Sequence, residues 1–349
     1  MFTLSDFDYD LPVDRIAQKP VIPRDQAKLL VVNRATKKIT HHLVSDLLEL
    51  VTPQFHFVAN NTKVFPARLH GQRQTGGKVE LLLTRPLGKS TYACISKPGL
   101  KLNTRVVFSH NLTARVSAIS KHGLERNIVF SLPEPDLREV LLKIGSTPTP
   151  PYIKKSGSSH NDYQTIYAKY GFSAAAPTAG LHFTPQLLEK IKAERKWDEI
   201  TLNVGLGTFL PVKTNSLADH KMHRETFTIS KKSAESLTHS LTHNKLLAIG
   251  TTTARTLETA VSGQKIAPLS GSTKIFIYPP YRFSAVSALL TNFHLPKSTL
   301  LMMVSAFTSF PNSDTQFTEF KSSLLGSAYQ IAIANNYRFF SYGDAMLIL

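Results

Sequence analysis

Cysteine is almost missing from this 349-residue chain, where Cys94 stands alone. That excludes an intrachain disulfide framework and a multi-thiolate zinc site, and it points to a reducing compartment. Long apolar runs are missing too: the segment around residues 300–310 falls well short of the roughly 20 residues a helix needs to span a bilayer. The opening ten residues are acidic and lack the basic-then-apolar layout of a secretory leader. No internal repeat and no low-complexity tract occurs. A cytoplasmic protein without a membrane partner is therefore expected. Acidic residues are scarce beside basic ones, 24 Asp and Glu against 41 Lys and Arg, which leaves a net charge of +17 and a pI near 9.8. So large a basic excess suits a polyanionic partner, because neutralising phosphates releases counterions without any need for sequence readout.

Apolar residues make up 42% of the chain, an ordinary globular content, and the length suits two domains. Leu29–Val32 and Phe55–Ala59 have the continuous apolar character of buried strands. From about residue 69 to 131 the texture changes. Short strands at Lys78–Leu83, Tyr92–Ile95, Arg105–Phe108, Thr113–Val116 and Asn127–Phe130 alternate with turns such as Gly76-Gly77 and Pro98-Gly99. Such spacing predicts a small antiparallel barrel or sandwich. A helix follows at Pro135–Ile144, then a proline-rich linker at residues 147–151. Thereafter strands and helices alternate, which predicts a mixed or parallel sheet. The expected helices are residues 184–197, capped by Thr184 before Pro185, then 233–241, a helix capped by Thr252 or Thr253 and ending at Gly263, 298–310 and 313–336. The expected strands are 199–204, 222–229, 246–249, 274–278 and 345–349.

Among local patterns, Met222–Ile229 is the most suggestive. Read as a strand, its alternation puts His223 and Glu225 on one face with Phe227 and Ile229, where partial desolvation would bring the carboxyl toward acid–base use. An ordinary surface His and Glu at a strand end fits equally well. Asp219, His220 and His223, and the His239/His243 pair, have metal-ligand chemistry, but no full ligand set stands out, so no metal is expected. Asp6, Asp8 and Asp10 alternate like a calcium loop, yet Leu11-Pro12 replaces the glycine turn. Gly205 and Gly207, ahead of Thr208, form a Gly-x-Gly after a strand, but no third glycine opens a helix, so a dinucleotide site is unsupported. Gly250-Thr251-Thr252-Thr253-Ala254-Arg255 is better placed. It joins a strand to a helix start, where free N–H groups and the dipole favour a carboxylate or phosphate.

Taken in order, these segments resemble one family, the S-adenosylmethionine:tRNA ribosyltransferase-isomerases. The likeness lies in Asp6–Pro12 with Ile16-Ala17-Gln18, Asn61–Leu69, Gly76–Glu80, Ala175–Thr184 and Val204–Phe209. It continues through Met222-His223 with Glu225, Gly250–Thr252, Thr291–Leu300 and Tyr337–Ala345. The matches are collinear over the whole chain. Four positions depart: Asn203 where His is expected, Pro280 where Gly is expected, and Ala27-Lys28 where Ser-Arg is usual. The Asn203 departure removes a titratable group.

The resemblance implies an α/β fold, a large mixed α/β domain (1–68 plus 151–349) with an inserted small antiparallel β-barrel domain (69–150). It implies transfer of the ribosyl part of S-adenosylmethionine, the co-substrate, onto the 7-aminomethyl-7-deazaguanine wobble base of tRNA. The sugar is isomerised to an epoxycyclopentane, giving epoxyqueuosine with release of adenine and methionine, without a metal. Glu225 and His223 are then the first candidates for proton transfer, with His182 and His294 beside them. Thr178, Gly180, Gly205, Gly207, Thr208, Thr251, Thr252, Arg255 and Asn292 are expected to bind substrate. Lys97, Lys101, Arg105, Lys154 and Lys155 are expected to meet RNA, and the chain is expected to be a monomer. A tRNA methyltransferase and a nonenzymatic basic RNA-binding protein are the competing readings; the latter lacks aromatic RNA-binding signatures.

Overall fold

The structure is a computed structural model that describes residues 2–121, 123–148, 152–153, 160–205, 212, 214 and 216–349. Its centre is a nine-stranded mixed sheet. From edge to edge the strands are Leu269–Thr273, Glu225–Ile229, Trp197–Leu202, Phe55–Asn60, Lys245–Ile249, Val286–Asn292, Ala345–Ile348, Lys28–Val32 and Ile39–Leu43. The four from Trp197–Leu202 to Val286–Asn292 run parallel to one another. Central strands such as Phe55–Asn60 and Ala345–Ile348 are buried along their whole length, which is why they read as continuous apolar runs. Their alternate residues feed two separate cores. Leu30, Val58, Ala248 and Leu289 join the helices Lys231–His243, Thr251–Ala260, Thr299–Phe307 and Leu324–Ala334 on one face. Leu29, Phe57, Leu247 and Leu290 join the helix Pro185–Glu194 on the other.

The strands Arg68–Arg73, Lys78–Gly88, Thr91–Lys97, Arg105–Val107, Thr113–Ile119 and Arg126–Phe130 close into an antiparallel barrel with its own core. Thr113–Ile119 shows the reason, with Ala114 and Val116 buried between exposed neighbours. The chain enters and leaves the barrel at one end. Residues 74–77, 98–104 and 123–125 therefore crowd the far end.

Several boundaries differ from the sequence expectation. The helix capped by Thr184, whose side chain accepts from the Leu187 N–H, stops at Glu194, and Trp197 opens a strand instead. The helix expected to run to Gly263 ends at Ala260, and Gly263 (φ 58°) turns a small hairpin. Residues 274–278 are not a strand; the edge strand is Leu269–Thr273, whose small polar residues hide its nature. Of 313–336 only Leu324–Ala334 is helical. Val286–Asn292, central in the sheet, escapes the sequence reading because its Ser and Thr dilute a short apolar run. No helix among the described residues is long and apolar enough to cross a membrane.

Candidate active site

The four parallel strands end along one edge of the sheet, the usual place for a ligand crevice in an α/β fold. Asn60, Leu202, Ile249 and Asn292 are their last residues. Asn60 fixes the floor: its Oδ1 accepts from the Thr62 and Leu202 N–H groups at 3.1 and 2.9 Å. Its Nδ2 donates to the Leu202 carbonyl at 3.1 Å and the Thr252 hydroxyl at 3.3 Å. Above this edge opens a cleft with about 970 Å³ between its walls, solvent at the mouth included. Tyr152, Tyr163, Phe293, Leu300 and Phe340 make much of its wall apolar, and Thr178, Gly250, Thr251, Thr252, Arg255, Asn292 and His294 supply polar groups. These polar residues come together from three segments distant in the chain, beginning at Thr178, Gly250 and Asn292.

Gly250 turns the strand into the helix Thr251–Ala260 with φ 87°, a conformation that a side chain would strain. It provides no side-chain cap, so the helix start that lines the cleft at Gly250, Thr251 and Thr252 is left uncapped. Arg255, one turn on and 5% exposed, lines the same wall. Its Nη1 donates to Glu225 Oε2, while its Nε and Nη2 have no partner. Leaving two buried donors unmet costs about 1–3 kcal/mol each, so an acceptor from a ligand is the natural completion. Glu225 is itself 5% exposed, and its Oε1 accepts from the Gly205 N–H at 3.0 Å.

The other candidates scatter. The strand holding Glu225 begins at that residue, and His223 lies exposed in the segment before it. The expected pairing of His223 with Glu225 on one strand face is therefore wrong: pairing to Leu269–Thr273 begins only at Glu225. Gly180 supports the wall from behind; a Cβ there would stand 1.9 Å from the Tyr167 hydroxyl oxygen. Asn292, in the cleft wall, also has partners within the protein, its Oδ1 accepting from Thr178 Oγ1 at 2.8 Å and its Nδ2 donating to the Phe340 carbonyl at 3.2 Å, with His182 Nε2 also 3.2 Å away. Gly207, Thr208, Lys154 and Lys155 lie outside the described residues. Lys97, Lys101 and Arg105 are exposed around the far end of the barrel, and none of them lines the cleft.

Two of the buried histidines, His182 and His294, are held neutral. Burial pushes His294 down to about 3, and burial with the charges of Arg338 and Arg24 does the same for His182. His294 lines the cleft, its Nε2 2.9 Å from the Thr291 hydroxyl. In the apolar part of the wall, Tyr152 and Ser341 share a 2.7 Å hydrogen bond, and burial pushes the phenol of Tyr152 up to about 12. The sequence gives no sign of Asn60, Tyr152 or Tyr163 as site residues; Phe293 and Leu300 lie inside the Thr291–Leu300 segment and Phe340 and Ser341 inside Tyr337–Ala345, so these had a signal. Asn203, where a titratable group was expected, is a clamp. Its Oδ1 accepts from the Phe172 N–H at 2.9 Å and the Thr62 hydroxyl at 3.2 Å, and its Nδ2 donates to Thr226 Oγ1 at 3.1 Å. Among the described residues no group of three or more His, Cys, Asp and Glu could hold a metal ion.

Comparison with known proteins gives one answer. The sequence profile described as "Queuosine biosynthesis protein" matches residues 4–348. Relatives named S-adenosylmethionine:tRNA ribosyltransferase-isomerase include one from Symbiobacterium thermophilum, 46% identical over 353 residues, and one from Thermotoga petrophila, 42% identical over 350. Each alignment covers 99% of both chains. A crystal structure of S-adenosylmethionine tRNA ribosyltransferase from Thermotoga maritima is similar over 99% of this chain and 100% of that one, with a TM-score of 0.56 and 34% identity.

Proposed function

Because the chain belongs to the queuosine biosynthesis protein family, we propose that the cleft at the strand ends binds S-adenosylmethionine and the modified base of a tRNA together. The chain is an enzyme, an S-adenosylmethionine:tRNA ribosyltransferase-isomerase. The finer reaction we propose moves the ribosyl group onto the aminomethyl nitrogen of a 7-deazaguanine wobble base and closes an epoxycyclopentane. Adenine and methionine depart. The sulfonium acidifies the adjacent C5′ protons, adenine takes up a proton as it leaves, and the attacking amine must be neutral. A largely apolar wall suits each demand, since it excludes water and lets few fixed dipoles dominate.

The observation that carries this reading is the buried, half-partnered Arg255 beside an uncapped helix start in a cleft otherwise lined by apolar and neutral side chains. It offers an oxyanion site of two unpartnered guanidinium donors beside a helix start, of the kind that takes a carboxylate or a phosphate. His294 stands in the same wall as a neutral imidazole and can hydrogen-bond the substrate, but at physiological pH it holds no proton to spare as an acid. In this division the chemistry belongs to residues 1–68 with 151–349. The barrel within 69–150 carries much of the attraction for tRNA, and Lys97, Lys101 and Arg105 face the RNA. A monomer acting in the cytoplasm suffices for all of this. The deciding experiment is product analysis with S-adenosylmethionine and tRNA carrying the aminomethyl precursor base. Adenine plus methionine supports the reading; S-adenosylhomocysteine would make the chain a methyltransferase; no turnover would leave a binding protein.

A further inference from the structure

Glu225 and Arg255 form the one ion pair among the described residues in which both side chains are less than a tenth exposed. The pair is asymmetric. Glu225 has both oxygens engaged, on the Gly205 N–H and on Arg255 Nη1, and it does not line the cleft. Arg255 does line it and keeps Nε and Nη2 unpartnered. Those two nitrogens lie on one edge of the guanidinium plane, where their hydrogens point the same way and match the two oxygens of a carboxylate. Thr251, four residues earlier, stands on the same helix face, so the uncapped helix start and the guanidinium edge converge.

Charge and depth select among anions. Arg255 is the only cation among the described residues of the cleft wall, and Glu225 already offsets it. What remains is the helix start and two directed donors, enough for one singly charged group but ill suited to a phosphate dianion. The guanidinium is too deeply buried for the backbone of a polynucleotide, whose phosphates travel with a bulky, hydrated chain. A general base must reach its proton within hydrogen-bond distance or through one water, and here the guanidinium stands between Glu225 and the cleft. We propose that Glu225 is a positioning residue. It holds Arg255 so that the Nε–Nη2 edge receives the α-carboxylate of the amino-acid end of S-adenosylmethionine. This rests on the function proposed above.

The test compares equilibrium binding of S-adenosylmethionine and its decarboxylated analogue, which keeps the sulfonium, the nucleoside and the amine. The wild-type chain should favour the carboxylated form by about 10- to 100-fold, the worth of a charge-assisted hydrogen bond. Arg255→Lys, which keeps the charge and loses the fork, and Glu225→Gln, which keeps the shape, should bring that preference within about threefold. At saturating S-adenosylmethionine, the single-turnover rate of Glu225→Gln should stay within about tenfold of wild type, below the roughly 10²–10⁴-fold loss expected of an acid–base group. Equal binding of both ligands by the wild type would overturn the proposal, as would a preference that survives Arg255→Lys. So would a Glu225→Gln variant that keeps the preference but loses the saturating rate, for then Glu225 is the base. If Glu225→Gln does not fold, the wild-type and Arg255→Lys arms still decide where the carboxylate sits, and Glu225→Asp must then retain part of the preference. A wild type that binds neither ligand and releases no adenine or methionine would instead remove the functional reading itself.

Discussion

Two neutral, buried histidines make the stability of this protein depend on pH well above the range where carboxylates titrate. His182 is 4% exposed and His294 8%, and each is pushed from an ordinary value of 6.5 down to about 3. The cause is burial for both, with two nearby arginine charges added for His182. A proton that binds the unfolded chain near pH 6.5 but the folded one only near pH 3 favours unfolding as pH falls between those values. The stability is therefore fully present above pH 6.5 and is lost on acidification. Each unit of separation is worth about 1.4 kcal/mol, so at about pH 5 each histidine withdraws about 2 kcal/mol and the pair about 4. That is a large part of an ordinary domain stability of about 5–15 kcal/mol. Urea unfolding at fixed temperature between about pH 7.5 and pH 5 measures it directly. The midpoint should drop steadily below pH 6.5, where unpaired carboxylates still contribute little. His182→Gln, which retains a group able to accept from Asn292, should remove about half of that slope. A midpoint that is flat from about pH 7 to pH 5, or a slope unchanged by His182→Gln, would refute the reasoning.

Three further outcomes follow from individual side chains. Glu258 is buried and accepts from the N–H groups of Ser284, Ala285 and Val286 and from the Tyr281 hydroxyl. Glu258→Gln turns an amide donor toward those donors and should cost about 2–4 kcal/mol of unfolding free energy, read from denaturant curves; a loss below about 1 kcal/mol would show that the loop does not depend on it. Gly180→Ala drives a methyl group into Tyr167 and should cost about 1–3 kcal/mol, with Tyr167→Phe recovering part of it; no recovery would place the strain elsewhere. Residues 69–150 carry 12 Lys and Arg against 5 Asp and Glu, and Arg105 stands directly opposite Arg115 across two strands. Reversing Lys97, Lys101 and Arg105 to Glu should weaken tRNA binding and flatten its salt dependence by roughly 0.7–0.9 for each phosphate left without its cation, leaving S-adenosylmethionine affinity unchanged. An unaltered affinity and salt slope in a folded triple variant would remove this end of the barrel from the RNA footprint.

The fold was legible where burial is uniform and illegible where it is shared. Leu29–Val32 and Phe55–Ala59 announce themselves because strands covered on both faces need apolar residues at every position. The barrel strands were found from turns rather than from their own composition, since Gly76-Gly77 and Pro98-Gly99 punctuate them. Val286–Asn292 and Leu269–Thr273 failed for the same physical reason. Their Ser and Thr satisfy hydroxyls locally or against neighbours, so a strand can be central or paired without an apolar signature. Met222–Ile229 failed at its beginning. An alternating pattern continues on paper past the point where a partner strand exists, and only pairing to Leu269–Thr273 decides that the strand starts at Glu225.

The site was legible by segment and not by role. Gly250–Arg255 reads as an anion turn because glycine, threonines and a helix start have local physics, and the structure puts that turn in the cleft wall. What no sequence spacing could show is which groups use one another up. Asn292 reads as a substrate ligand and does line the cleft, but its amide also meets His182, Thr178 and Phe340. Glu225 reads as a base in the sequence, and in the fold Arg255 and Gly205 each engage one of its oxygens, which is the ground for the positioning role proposed above. Asn203 looks like a lost acid until its amide is found binding the strand ends together, a task that asks for an acceptor and a donor and not for a titratable group. Asn292 and Glu225 are buried and must be satisfied, Asn203 is half-buried, and all three find their partners far off in the chain. The side chain left over once these claims are settled is Arg255. Its Nε and Nη2 are buried in the cleft wall without a partner, which is the ground for the anionic group of the substrate proposed for them above.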